Sequence, residues 1–383
     1  MIKSLLKLLM KNSAIARVVE NLYCKLPYHF MNGRALNPLS VVLLVTYKCN
    51  LNCQMCFYYN ENEVEHTHEL IRNRAKDELT TEQIYSLIDD MKKMKIRVMT
   101  IHGGEPLIYP KIFEISKYAN DNGILVNFIT NGALLNEEVA KKIVDSKIAS
   151  ITFSIDGPEK IHDVVRNKVG TFQKMIAGIG YLKALEAQGK TIPNLSVSTY
   201  ISAINVGQIS ELHEIIKGAG IKNWGVGLIT YNSSKLTETS KKILGIYEGT
   251  GQGSLDNLKD EIKAIDLSIL IDQRNKLKKK NIEHRLEMIF PSEKSINNYY
   301  DEFYNEVDHC LYPWARTVIS PYGEVFPCVN LSMIDYKLGN IKEKSLKQIW
   351  NSKEYIEFRK KMKANKLFPI CSKCCVINNV DHL

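Results

Sequence analysis

A chain of 383 residues, 45% apolar and 24% charged, can bury a sizeable core, as one large domain or as a large and a small one. No run approaches the roughly 18 to 20 uncharged apolar residues of a membrane span, and nine cysteines grouped mainly at Cys49, Cys53, Cys56 and Cys371, Cys374, Cys375 exclude a secreted disulfide scaffold in favour of metal ligation. The formal charge of +9 points to an anionic partner, nucleic acid or lipid, or more simply to a solvated lysine surface.

The N-terminal extension, residues 1–39, opens "MIKSLLKLLMKNSAIA" with the basic start, apolar patch and small residues of a signal peptide. Lys7 interrupts the apolar run, and amphipathic spacing continues through "ARVVENLYCKL". This is read as a helix lying on the protein or on a membrane surface. Residues 40–230 then alternate. "VVLLVT" is a short apolar strand feeding the cysteine loop, and "TTEQIYSLIDDMKKM" is a helix with a Thr cap and apolar residues at helical spacing. "RVMTIHGGEP" is a strand ending in glycines, and "PKIFEISKYANDNG" a helix closed by Gly123. "ILVNFITNG", "NEEVAKKIVDS", "IASITFSIDG", "GTFQKMIAGIGYLKALEAQG", "NLSVSTYIS", "VGQISELHEIIKGAG" and "NWGVGLIT" continue strand by helix. Six strand–helix units predict a parallel sheet, and the runs suit an α/β fold of the (β/α)6 partial-barrel type. The cysteine loop, GGEP, TNG and SIDG all fall at strand C-terminal ends, the edge where such folds build sites.

Residues 231–308 read as a connecting segment. "YNSSKLTETSKKILGIYEGTGQGS" is a polar, glycine-containing connection, and the lysine-rich stretch with "KLKKK" at 276–280 is the solvated face of a helix. "RLEMIFP" reads as a strand and "SEKSINNYYDEFYNEV" as a helix. Residues 309–383 form a small α+β module. In it "RTVISPYGEVFPCVN" is a hairpin turning at Pro321-Tyr322-Gly323, and "SLKQIWNSKEYIEFRKKMKAN" one amphipathic helix leading to the last cysteines.

Cys49-x3-Cys53-x2-Cys56 after the first strand, with Gly103-Gly104-Glu105-Pro106 after the second and Ser154-Ile155-Asp156 at the fourth, resembles the radical SAM superfamily over roughly residues 40 to 230. The resemblance implies that three thiolates hold three irons of a 4Fe–4S cluster and leave the fourth iron to S-adenosylmethionine. In such enzymes the reduced cluster cleaves the sulfonium to a 5′-deoxyadenosyl radical, which removes hydrogen from an unactivated carbon. Carried over residue by residue, Gly103 and Gly104 admit close backbone approach to the methionyl amino group, and Glu105 fixes their loop. Thr130, Asn131, Ser154 and Asp156 surround the ribose and carboxylate, and Arg166 pairs with the carboxylate. The residue before the third cysteine, often aromatic in the family, is Met55 here, which leaves the adenine contact to Met55, Phe57 or Tyr58.

Cys310, Gly323, Cys328 and the pair Cys371-x2-Cys374 resemble the twitch domain, a shortened SPASM domain, which implies an auxiliary 4Fe–4S cluster on Cys310, Cys328, Cys371 and Cys374. Cys375 is an alternative to Cys374, and a four-cysteine zinc site is an alternative to iron. Cys24 reads as a buried small apolar residue. Two such clusters would lower the net charge to roughly +6. The resemblance implies a one-electron donor such as flavodoxin or ferredoxin. It leaves the substrate among peptides, sugars or aminocyclitols and lipid-linked molecules. The N-terminal helix would suit a peripheral membrane contact in an otherwise cytoplasmic protein. No catalytic acid or base is assigned; Tyr58, Tyr59, Tyr231, Tyr299 and Tyr300 read as packing residues. The rival reading is a zinc-containing nucleic-acid-binding protein, but the chain lacks interleaved aromatic and basic residues and any reader motif.

Overall fold

The computed structural model describes residues 13–59, 64–229, 233–246, 264–279, 293–298 and 307–374. Helix α1 (Ser13–Phe30) precedes β1 (Ser40–Thr46). The alternation then runs α2 (Thr81–Lys93), β2 (Val98–Gly103), α3 (Ile112–Asp121), β3 (Leu125–Thr130), α4 (Glu137–Asp145), β4 (Ser150–Ser154), α5 (Glu159–Val165), α6 (Thr171–Ala187), β5 (Asn194–Ile201), α7 (Ile209–Gly218) and β6 (Asn223–Leu228). β1 to β6 lie in sequence order and pair in parallel throughout, as expected of a (β/α)6 partial barrel. Local chemistry sets the helix ends. Thr80 and Gln83 close a reciprocal capping box on α2, Asn136 caps α4, and Gly123 (φ +76°) turns the chain out of α3.

The sheet does not stop at β1. β7 (Arg316–Ile319) lies parallel against β1, followed by antiparallel β8 (Glu324–Phe326) and β9 (Gly339–Asn340), so the C-terminal module extends the barrel sheet. This places β1 between two parallel neighbours and explains why all seven of its residues are buried. The hairpin turns where expected. The Ser320 hydroxyl accepts from the Tyr322 and Glu324 N–H groups, and Gly323 adopts φ +84°.

Two expectations are corrected. Much of the presumed polar connection is helix α8 (Ser234–Leu244), capped by Ser233 and closed by Gly245 at φ +80°. Its buried face is Leu236, Thr237, Ser240 and Leu244, and the two hydroxyl residues disguised it as loop. The single helix expected at the C-terminus is two, α11 (Leu346–Trp350) and α12 (Lys353–Asn365), numbered after α9 (Leu267–Lys279) and α10 (Val329–Met333). The break arises because the Asn351 side chain is committed to the Ala35 backbone, donating to its carbonyl at 2.9 Å and accepting from its N–H at 3.0 Å, while Ser352 caps α12. The "KLKKK" run falls on α9, whose inner face buries Leu270 and Leu277 while Lys276 pairs with Asp272 on the outside; Lys280 lies outside the described residues. The "RLEMIFP" strand, Tyr231, Tyr299, Tyr300 and Cys375 also lie outside them, and of the helix expected over 292–307 the described part is Glu293–Asn298. Cys24 is fully buried, and burial pushes its thiol up to about 12. No described helix is long and apolar enough to cross a membrane.

Candidate iron–sulfur and SAM site

The first site is assembled at the C-terminal edge of β1 to β4. Gly103 and Gly104 are obligatory for a reason that lies within the protein. A Cβ on Gly103 would sit 2.2 Å from the Thr46 carbonyl oxygen, and one on Gly104 2.1 Å from that of Lys48. Their backbone is pinned there, with Gly104 N–H donating to Thr46 O at 2.8 Å and Glu105 N–H to Lys48 O at 2.9 Å. The glycine loop thus braces the start of the cysteine loop. Glu105 is buried and joins this brace to the next strand end. It accepts from Leu107 N–H at 3.1 Å, the Thr130 hydroxyl at 2.7 Å and Asn131 N–H at 2.9 Å. Burial raises its pKa, against these donors. Asn131 reaches back to the cysteine loop, donating to the Asn50 side-chain oxygen at 2.9 Å.

The far side of the cysteine loop rests on α5. Gln54 N–H donates to Val165 O at 3.2 Å, and Arg166, the next residue, is buried. Its guanidinium ion-pairs with Asp156 and points Nη1 at Cys53 Sγ, 3.6 Å away. Asp156 is fully buried, with its other oxygen accepting from Tyr200 N–H at 3.1 Å, so it backs Arg166 and does not line an open surface. The Nε of Arg166 is buried without a partner among the described residues: an orphaned donor beside the cysteine loop, suited to a carboxylate. His162 completes the cluster, its Nδ1 accepting from Asp156 N–H at 3.3 Å, and burial lowers its pKa to about 4.

Reading the sequence missed Asn50, and it also missed the inner face of the sheet. Along β2 to β5 alternate residues are buried against the helices, while the opposite side chains remain partly accessible. That accessible face carries His102, Asn127, Ser150, Thr152, Ser154 and Ser196, joined by Ser150 Oγ to Asn127 Oδ1 at 2.7 Å and Thr152 to Ser196 at 2.8 Å. His102 precedes Gly103 and is held neutral by burial, with a pKa lowered to about 4. The signal was available in part: "SITFS" and the first five residues of "NLSVSTYI" alternate polar and apolar residues at period two, whereas "LVNFIT" does not.

The second set of thiols comes from three separate segments. Cys310 precedes the turn Tyr312–Ala315, Cys328 is the N-cap residue of α10, and Cys371 lies in the turn Pro369–Lys373, which ends at Cys374. Cys374 N–H donates to Cys371 O at 3.1 Å. Burial, and then the neighbouring Cys328 and Cys310, push the Cys371 thiol well up. Burial likewise raises Cys310 to about 12 and Cys328 to about 11. In the first loop burial lifts Cys49 to about 12 and Cys56 to about 11, with repulsion among the three cysteines adding to it. Among the described residues no three His, Cys, Asp or Glu side chains converge as on one metal ion, so the fit rests on the donors' chemistry. Two groups of cysteines outside any disulfide, in which burial keeps Cys49, Cys56, Cys310, Cys328 and Cys371 from ionising, are what a cationic iron–sulfur core would relieve.

Comparison with known proteins agrees with both halves. The profile described as the radical SAM superfamily matches residues 43–199, and SPASM, the iron–sulfur cluster-binding domain, matches residues 310–375. These matches favour iron over the zinc reading. The chain is 27% identical over 344 residues to an AdoMet-dependent heme synthase of Methanosarcina barkeri, covering 88% of each protein. It is 30% identical over 175 residues to the mycofactocin maturase MftC of Mycobacterium ulcerans, covering 45% of this chain and 43% of the maturase. The fold is similar to that of Streptococcus suis SuiB bound to its precursor peptide SuiA, with a TM-score of 0.59 at 16% identity, over 90% of this chain and 71% of SuiB.

Proposed function

We propose that this chain, a member of the radical SAM superfamily with an SPASM-type iron–sulfur cluster-binding domain, abstracts hydrogen from an unactivated C–H bond of a substrate bound on the inner face of β2 to β5. S-adenosylmethionine and 4Fe–4S clusters are its cofactors. When bound and reduced, they supply a 5′-deoxyadenosyl radical that takes a hydrogen atom. Everything else is done by the chain. Cys49, Cys53 and Cys56 hold the SAM-binding cluster, and Cys310, Cys328, Cys371 and Cys374 hold the auxiliary one. Gly103, Gly104 and Glu105, with Thr130 and Asn131, fix the edge on which SAM sits, and Ser154 faces it from β4. Arg166 offers its unpartnered Nε to the SAM carboxylate, and Asp156 orients Arg166 from behind, a positioning role in place of a ribose contact. A protein donor such as flavodoxin or ferredoxin delivers the electron.

The observation that carries the substrate reading is the inner face itself. It presents hydroxyls, an amide and a neutral imidazole beside the exposed side chains of Leu125, Ile129 and Tyr200, and no residue of β2 to β6 is charged. Such a surface suits a neutral, hydrogen-bonding substrate, of which a peptide is the leading case and a sugar or aminocyclitol the next. A second reading, a haem precursor, is favoured by the heme synthase similarity across most of both chains. The test is anaerobic: iron-loaded protein with dithionite and SAM should form 5′-deoxyadenosine and methionine slowly, and a cognate peptide should accelerate it. No 5′-deoxyadenosine from fully iron-loaded protein would refute the radical chemistry, and acceleration by a porphyrin in place of peptides would favour the second reading.

A further inference from the structure

The outer face of α1 is apolar. Val19, Leu22, Leu26 and Phe30, spaced by three, four and four residues, fall on one stripe and are 40%, 53%, 52% and 80% exposed. The opposite face is firmly seated. Cys24 is fully buried, Tyr28 packs edge-on against Trp314 at 5.0 Å, and Lys363 donates to Tyr28 O at 2.8 Å. The stripe therefore cannot turn inward without undocking the helix from the SPASM module.

The charge around it is one-sided. The first 34 residues contain Lys3, Lys7, Lys11, Arg17, Lys25 and Arg34 against Glu20 alone, so five of the chain's nine net positive charges fall in this short stretch. The rest of the chain is nearly balanced. An apolar stripe on a helix in a basic segment is the arrangement that settles at the boundary of headgroups and acyl chains, where burial of the stripe and attraction to anionic lipid add. A protein groove would use the stripe but leave the charge excess unanswered. We propose that α1 docks this enzyme on a membrane surface carrying anionic lipid, holding the SPASM module toward the bilayer.

The experiment is co-sedimentation of the full chain with vesicles of phosphatidylcholine alone or mixed with phosphatidylglycerol. The chain should pellet with the mixed vesicles only, and added salt should release it. Replacing Leu22 and Leu26 by Ser should weaken binding at least about tenfold, and Lys25→Gln about fivefold. Both variants should keep the wild-type melting temperature and dithionite-driven SAM cleavage, which separates lost docking from misfolding. Absence of binding to the anionic vesicles, or equal binding by wild type and the Leu22, Leu26 variant, would overturn the proposal. So would a concentration-dependent dimer that this variant abolishes without any vesicle binding, since a second copy would then cover the stripe.

Discussion

The two thiol sites are built on opposite principles. At the first, three cysteines lie on one loop, and their spacing does most of the work of bringing them together. The fold adds a polar frame of Glu105, Asn131, Asp156 and Arg166 reaching in from β2, β3, β4 and α5. At the second, the cysteines arrive from three segments spread over residues 310 to 374, and an aromatic core holds those segments in place. Trp314, Trp350, Tyr355, Phe358 and Phe368 are all fully buried there, and Arg359 lies among them. The first site should accordingly fail through lost charge and hydrogen bonds, the second through lost packing.

The largest effect is expected at Arg359. It is fully buried, donates to Pro313 O at 2.8 Å and Trp350 O at 2.9 Å, and lies 4.2 Å and 4.1 Å from the Trp350 and Tyr355 ring centres. Burial lowers its pKa to about 10. Arg359→Met should cost about 3 to 5 kcal/mol, because the carbonyls it serves lose their donor inside the core. Thermal unfolding should show this together with loss of auxiliary iron and retention of SAM-site iron. Equal loss at both sites would erase the contrast.

A pH effect of similar size belongs to the first site. The folded protein holds His162 neutral down to about pH 4, whereas its ordinary value is 6.5. Between those values the unfolded chain binds a proton that the folded chain refuses, so stability falls as pH falls through this window. The full loss is about 3 kcal/mol. Urea titrations of the metal-free protein at neutral and mildly acidic pH should differ by most of that amount, and His162→Gln should shrink the difference. An unchanged difference would remove His162 as the cause.

Asp156→Asn keeps an acceptor for Tyr200 N–H but removes the charge behind Arg166. SAM binding to iron-loaded protein should weaken by about 2 kcal/mol, roughly thirtyfold. Equilibrium dialysis with labelled SAM measures this directly, and unchanged affinity would dismiss the positioning role. The smallest effect is expected at Lys276→Ala, whose exposed pair with Asp272 should shift stability by no more than about 0.5 kcal/mol. A larger change in the melting temperature would mean that the basic face of α9 does more than meet solvent.

The same contrast governs what could be read from residues alone. The cysteine loop, GGEP, TNG and SIDG were legible because each is a short local pattern, and strand alternation put them on one edge. The Gly103 and Gly104 requirement was legible, but its reason was not: the contacts are with Thr46 and Lys48, more than fifty residues earlier. Asp156-Gly157 looks like any turn, and only the fold shows its carboxylate facing Arg166. At the C-terminal module the cysteines were visible, yet β7 joining β1, the break at Asn351 and the buried Arg359 were not. β7 and Asn351 depend on partners hundreds of residues away, and Arg359 sits in a run, "EFRKKMK", that reads as solvated. α8 stayed hidden because hydroxyls occupy two of its buried positions.

The central claim is that two separately framed thiol sites each hold one cluster, and iron partition tests it most directly. Anaerobically reconstituted wild type should carry about eight irons, and both the Cys49→Ala, Cys53→Ala, Cys56→Ala variant and the Cys310→Ala, Cys328→Ala variant about four. The electron paramagnetic resonance signal of each reduced variant should be one component of the wild-type spectrum, and SAM should perturb only the signal lost from the Cys49, Cys53, Cys56 variant. A variant that loses all its iron, or a SAM-sensitive signal that survives without Cys49, Cys53 and Cys56, would contradict the account.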